Sequence, residues 1–278
     1  MSERCSDLSE AAREPISATA TNAVNWLLLE VRGTWPRDVS DLGGFDARTR
    51  QAIEDWLERT PSARLLFIRR PGRARERRAV FVVRATERET LVRRLELGDA
   101  DAPDLERNSE AVSSQLVLVC GHGSRDSCCA LRGSAVFGAL REHVPAEDLW
   151  LSSHQGGHRF AANVLVLPAG IQLGRLSVED APGVVADALQ GLIALDRYRG
   201  RTAYTAREQA AERAIRESSG LVRVAELTLV GDDGTRVTFH DADGRELRAV
   251  PRELAGPAVP ASCGAAPEAQ RHLTAQLA

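Results

Sequence analysis

Lysine is missing from the chain: all 36 basic residues are arginine. Without that amine there is no Walker-type phosphate lysine, no pyridoxal or carbonyl Schiff-base lysine and no kinase strand lysine. A basic surplus is missing as well. The formal net charge of −3 argues against general nucleic-acid binding, which shows as an overall basic balance. Long apolar runs are absent too. Stretches such as Val24 to Val31 and Leu116 to Cys120 are strand-sized, well short of the ~20 residues of a membrane span. The polar start MSERCSDLSEAAREP has no apolar core of a secretion signal. A soluble, cytoplasmic protein with no membrane and no nucleic-acid partner is therefore expected. In that compartment thiols stay reduced, so the five cysteines read as ligands, redox groups or bystanders before structural disulfides. The arginine usage itself is most simply coding bias.

What is present is a chain of 278 residues with 43% hydrophobic and 27% charged residues, enough to bury a real core. Trp26 to Val31 reads as a strand ending at Gly33 and Pro36. Asp46 caps a helical stretch with Ile53, Trp56 and Leu57 at helical spacing. Leu65 to Ile68 and Ala79 to Val83 read as strands joined by a solvated hairpin loop, Arg69 to Arg78. Its arginine content also suits a docking patch for an acidic partner. The acidic segment Gly98 to Glu110 marks a boundary. Residues 115–120 then form a strand buried on both faces, followed by a helix near Ser134 to His143. Strands follow at Leu149 to Leu151, Asn163 to Leu167 and Ile171 to Leu176. Helices are expected over Val178 to Leu195, with Pro182 near the start, and over Ala206 to Glu217. Leu221 to Val250 alternates as a β-meander, and the last twenty-odd residues read as a mobile tail. The fold class is α/β: a thioredoxin-like mixed sheet flanked by helices, with an N-terminal α/β half and a small C-terminal β-meander. The expected units are 1–110, 111–220 and 221–278.

The informative segments are CGHGSRDSCC, residues 120–129, and HQGGH, residues 154–158. Cys120 ends a buried strand, and Cys128 and Cys129 close the loop after it. His154 and His158 follow the next strand. Parallel neighbours would bring both loops to one rim of the sheet, where sites form. Two thiolates and two imidazoles suit tetrahedral zinc or a [2Fe–2S] cluster. The spacing is neither that of a zinc finger nor the interleaved pattern of Rieske proteins, and Gln155 and Gly156 stand where a zinc protease needs its Glu. His122 lies in the same loop and reads as an orienting residue. A thiol–disulfide oxidoreductase using Cys120 with Cys128 or Cys129, and a structural zinc-binding module, are the competing readings. Cys5 and Cys263 default to bystanders. His143, His240 and His272 read as structural or solvated.

The blocks CGHGSRDSCCALRG, SSHQGGHRFAANVLVLPAGIQLGRL and YRGRTAYTAREQAAERAIRE resemble the sucrase/ferredoxin-like family. The resemblance extends to CSDLSEAAREPISATATNAVNWLLLEVRGTWPRD near the start and to SCG near the end. It implies a thioredoxin-like ferredoxin with a [2Fe–2S] cluster on Cys120, Cys129, His154 and His158, with Cys128 as the alternative to Cys129. Metal-binding, one-electron transport and a flavoprotein reductase or other redox protein as partner, docking at Arg69 to Arg78, are what it implies for function, a carrier rather than a catalyst. Arg125, Asp126, Gly156, Gly157, Arg159 and Arg175 are the expected surroundings of the cluster: the charged residues to orient histidines or bond sulfides, the glycines to let backbone amides approach. The family name implies no sugar hydrolysis, since no paired carboxylates argue for it.

Overall fold

The computed structural model describes residues 4–42, 44–70, 77–98, 104–105 and 107–278. Among them ten strands form one mixed sheet and four form a second, antiparallel sheet at the C-terminus. In the first sheet β1 (Asn25–Glu30) lies between β2 (Ala63–Arg69), to which it is parallel, and β3 (Arg78–Ala85), to which it is antiparallel. β4 (Thr90–Leu97) and the two-residue β5 (Glu110–Ala111) complete that edge. On the other side, β6 (Leu116–Cys120) pairs in parallel with β7 (Leu149–Ser152) and antiparallel with β8 (Val164–Leu167). β9 (Ile171–Leu173) and β10 (Tyr198–Arg201) follow. The two groups meet where β2 pairs with β7, Ile68 opposite Ser152.

Alternation along the strands sorts the core into layers. Leu27 and Leu29 face one way with Ile53 and Trp56 of α2 (Ala47–Arg59). Val117 and Val119 pack with Val136, Phe137 and Leu140 of α3 (Ser127–Leu140) and with Val185 of α4 (Ala181–Leu189). Trp26, Leu28, Phe81, Leu116, Leu118 and Trp150 gather on the opposite face in a cluster to which no helix contributes. That face is closed by curvature. β10 and β3 stand seven places apart in the sheet, about 34 Å if it were flat. Yet Arg201 Nη1 of β10 lies 3.9 Å from Glu87, just past the end of β3, and the Tyr204 hydroxyl also donates to Glu87. The accumulated twist of the strands thus wraps the sheet around its own apolar face.

The second sheet runs β11 (Leu227–Asp232), β12 (Val237–Asp241), β13 (Glu246–Pro260), β14 (Pro267–Leu277). It packs through Phe239, Val237 and Ala249 on Tyr204 and on Ala211 and Ile215 of α5 (Ala206–Ser219).

The mixed α/β class agrees with the sequence. Four local expectations need correction. β2 and β3 are not a hairpin, because β1 inserts between them; residues 71–76 of their connection lie outside the described set, as do 99–103 and 106 of the acidic segment. β4 and β10 are additional strands. α3 starts at Ser127, because Asp126 caps it by accepting from the Cys128 amide at 2.8 Å. The C-terminal segment expected to be a tail is instead β14, paired along most of β13.

Candidate functional site

The parallel β6–β7 pair brings Cys120 opposite Ser152, so the loops after both strands leave from one rim, as their order in the sequence implies. Cys120 and Cys129 are buried, at 1% and 0% exposure. Donor atoms of Cys120, Cys129 and His154 all lie within 4.8 Å of one another. His158 Nδ1 is 3.9 Å from Cys129 Sγ, and the two imidazoles stack at 3.9 Å between centroids, 17° from parallel. Thiol thus neighbours thiol, and imidazole neighbours imidazole. Helix geometry explains the choice of cysteine: successive residues of a helix point about 100° apart, so Cys129 faces the rim while Cys128 faces away.

Burial raises the cost of a second thiolate here. The thiol of Cys129 donates to Cys120 and, with His154, holds Cys120 well below the usual cysteine range; the same bond to Cys120, and burial, push Cys129 up. Burial, then the neighbouring His154, bring His158 down to about 4. His154 Nδ1 is buried and has no hydrogen-bond partner among the described residues. A buried polar atom without a partner costs about 1–3 kcal/mol, and the ring that carries it has a donor nitrogen within 4.8 Å of both sulfurs. Two thiols, two imidazoles and an orphaned ring nitrogen fit a metal or [2Fe–2S] cluster.

The loop is fixed from behind. His122 Nε2 is 2.8 Å from the Pro36 carbonyl, and its Nδ1 accepts from the His154 amide at 3.1 Å. Both ring nitrogens are therefore engaged, which makes His122 an orienting residue. Arg64 donates to the His154 carbonyl at 3.2 Å. Gly156 and Gly157 have φ of 92° and 69°. A Cβ on Gly157 would meet Arg199 Nη2 at 2.7 Å and the Phe160 ring at 2.8 Å. The need for glycine is thus set by conformation and by Arg199. Arg159 pairs with Glu14 at 2.7 Å, and Arg175 donates to Ser9 Oγ at 2.9 Å and the Glu14 carbonyl at 2.7 Å. Both hold the N-terminal segment. Arg125 turns with the loop, its amide donating to the His122 carbonyl at 3.2 Å.

Gly133 carries no signal in the sequence beyond being a helical glycine. A Cβ there would stand 1.9 Å from the Cys120 carbonyl oxygen, so α3 can approach the cysteine strand only with glycine at this point. Gly133→Ala is expected to cost about 1–3 kcal/mol of stability through overpacking, measured by urea unfolding, and to push Cys129 away from Cys120.

A second thiol group lies on the far side of the α3 start. Cys128 Sγ is 3.6 Å from Cys5 Sγ and 3.2 Å from Cys263 Sγ, and the last two are 3.6 Å apart. Cys5 and Cys263 are therefore not isolated. Asp126 accepts from the Cys263 amide at 2.8 Å. Hydrogen bonds, first from Cys5 and then from Ser6, bring the Cys128 thiol down to about 6. All five cysteines are free.

The sucrase/ferredoxin-like family matches residues 16–200. Among curated proteins, the chain is 33% identical over 106 residues to "Altered inheritance of mitochondria protein 32" of Meyerozyma guilliermondii, a stretch covering 34% of this chain and 38% of that one. Against the protein of that name from Clavispora lusitaniae it is 31% identical over 99 residues, 33% of this chain and 36% of the relative. With that of Saccharomyces cerevisiae (strain YJM789) it shares 44% over 50 residues, 17% and 16%. The chain therefore spans well under half the length of these relatives. No solved structure matches it. The classification of the chain as a cytoplasmic iron–sulfur, electron-transport protein is corrected to what these comparisons support: a match to the sucrase/ferredoxin-like family and to relatives named for inheritance of mitochondria. Among the described residues no helix is long and apolar enough to cross a membrane.

Proposed function

Because the chain belongs to the sucrase/ferredoxin-like family, we propose that Cys120, Cys129, His154 and His158 hold a [2Fe–2S] cluster and that the protein transfers single electrons. The observation that carries this reading is the pairing at the rim: two buried thiols in mutual contact beside two stacked imidazoles, one with a free buried nitrogen. When bound, such a cluster supplies a one-electron couple whose potential rises with imidazole ligation, from about −400 mV for all-cysteine plant-type clusters to about −150 to +300 mV in Rieske centres.

The protein's own groups have defined tasks in this proposal. Cys120 provides a thiol held low by the Cys129 thiol and by His154. His122 and Arg64 fix the backbone of His154 and so the point from which its ring reaches the thiols. Arg199 sets positive charge near the thiolates from a fully buried position. A flavoprotein reductase is the proposed electron donor, and a compartment that keeps thiols reduced is the proposed setting.

A zinc reading has one observation in its favour, since three donor atoms within 4.8 Å can also serve a single ion. Metal and sulfide analysis separates the two. Anaerobically purified or reconstituted protein should be brown, with iron and acid-labile sulfide in equal amounts. Colourless protein that takes up only zinc would overturn the cluster. His158→Cys should retain a cluster and lower its potential by on the order of 100 mV, because thiolate adds the negative charge that imidazole lacks. Protein-film voltammetry reads this, and an unchanged potential would remove His158 from the ligand set.

A further inference from the structure

We propose that Cys5, Cys128, Cys263 and Asp126 form a second metal site, independent of the first, that takes one zinc ion and staples both ends of the chain to α3. The donor atoms of these four residues all lie within 4.8 Å of one another. The three sulfurs stand 3.2, 3.6 and 3.6 Å apart, and the Asp126 oxygens are 3.9 and 4.0 Å from Cys5 Sγ. Zinc bonds of about 2.3 Å to sulfur place two thiolates about 3.8 Å apart across a tetrahedral centre. The observed triangle is tighter by about 0.2 Å on two edges and about 0.6 Å on the third, and surrounds a single point. Three sulfurs so close together have one common centre, whereas a [2Fe–2S] cluster divides its ligands between two irons.

Charge and access agree with this assignment. Cys5 and Cys128 are fully buried and Asp126 nearly so, at 5% exposure, while Cys263 is half-buried and leaves a path for an ion. The donors sit at the N-terminus of the fourteen-residue α3, whose dipole favours the negative charge that thiolates retain around a divalent cation. Ser6 and Ser127 each donate to a sulfur, at 3.2 Å to Cys128 and 3.3 Å to Cys263, as the outer hydrogen bonds of thiolate ligands do. A carboxylate as fourth donor suits zinc better than a purely thiophilic ion such as Cu(I).

The site also has a mechanical role. Cys5 opens α1 (Cys5–Ala11), a seven-residue helix, too short to persist alone. Cys263 lies in the turn between β13 and β14. Zinc would join these segments, 258 residues apart in sequence, to the same helix that carries Cys129.

The test uses the full-length Cys129→Ala chain, so that the first site takes no part. Reduced, metal-free protein titrated with zinc chloride should bind about one ion per chain. Alkylation of Cys5, Cys128 and Cys263, mapped by peptide mass spectrometry, should slow about tenfold on addition of zinc, as expected when thiolate lone pairs are committed to a metal. Adding Cys263→Ala should abolish the binding. If that variant does not fold, the alkylation rates of the otherwise unaltered chain decide alone. Equal alkylation with and without zinc, or undiminished zinc content in the folded Cys263→Ala variant, would overturn the site.

Discussion

The Cys129→Ala protein is expected to leave anaerobic purification colourless, with iron and sulfide below about a tenth of wild type, because loss of one thiolate leaves an iron of a [2Fe–2S] cluster open to solvent and exchange. The Cys128→Ala protein should remain brown. The two residues are adjacent in sequence and equally buried, so exposure does not separate them; direction does. Cys129 points to Cys120 and His158, and Cys128 to Cys5 and Cys263. Zinc should reverse the pattern, Cys128→Ala losing it and Cys129→Ala keeping it. Cluster content, read as iron and sulfide, and zinc content measured on the same two preparations give four outcomes. Equal loss of colour in both variants would mean that the two thiol groups are one site, and the assignment of ligands would fall.

The sequence carried the first site nearly whole. A buried strand ending in Cys120, a parallel neighbour and an HxxxH segment after it suffice to bring the four proposed ligands to one rim, because strand order and direction fix where loops emerge. The choice between Cys128 and Cys129 was not legible, since it turns on where α3 begins. A loop rich in Gly, Ser and Asp hides that start, although Asp126 is a strong cap. The second thiol group was less accessible still. Its members come from the first helix, the third helix and the last hairpin, and no local pattern connects positions 5, 128 and 263. β10 escaped for another reason: its sequence is YRGR, and all four residues are nonetheless buried. An arginine strand offers no hydrophobic period to detect.

That strand changes how the absence of lysine is understood. Arg199, Arg201 and Arg216 are 1%, 4% and 0% exposed, and coding bias does not explain a buried cation. Arg216 pairs with the equally buried Glu212 at 3.0 Å. Among the described residues Arg199 has no carboxylate partner. Its Nε donates to Thr19 Oγ1 at 3.0 Å, its Nη1 to the Gly156 carbonyl at 3.0 Å and to Asn163 Oδ1 at 2.9 Å, and its Nη2 to the Thr19 carbonyl. Burial, with Arg159 as a lesser cause, brings this guanidinium down to about 9, so it is charged at neutral pH and acts on Cys120 and Cys129.

Arg199→Met is expected to cost about 3 kcal/mol or more, because at least two buried oxygens lose their donor at about 1–3 kcal/mol each, against which relief from burying a charge is partial. Urea unfolding measures this. The same change should release the HQGGH loop, since the Gly156 carbonyl is held from this side by Arg199. Cluster content should then fall even though every ligand is present. Arg199→Lys keeps the charge but not the fork: an ammonium on a flexible stem cannot span oxygens that a planar guanidinium reaches in fixed directions. It should therefore fail almost as badly as methionine. If Arg199→Lys instead retains wild-type stability and cluster, charge alone is what the loop requires, and the geometric role given to this arginine is wrong.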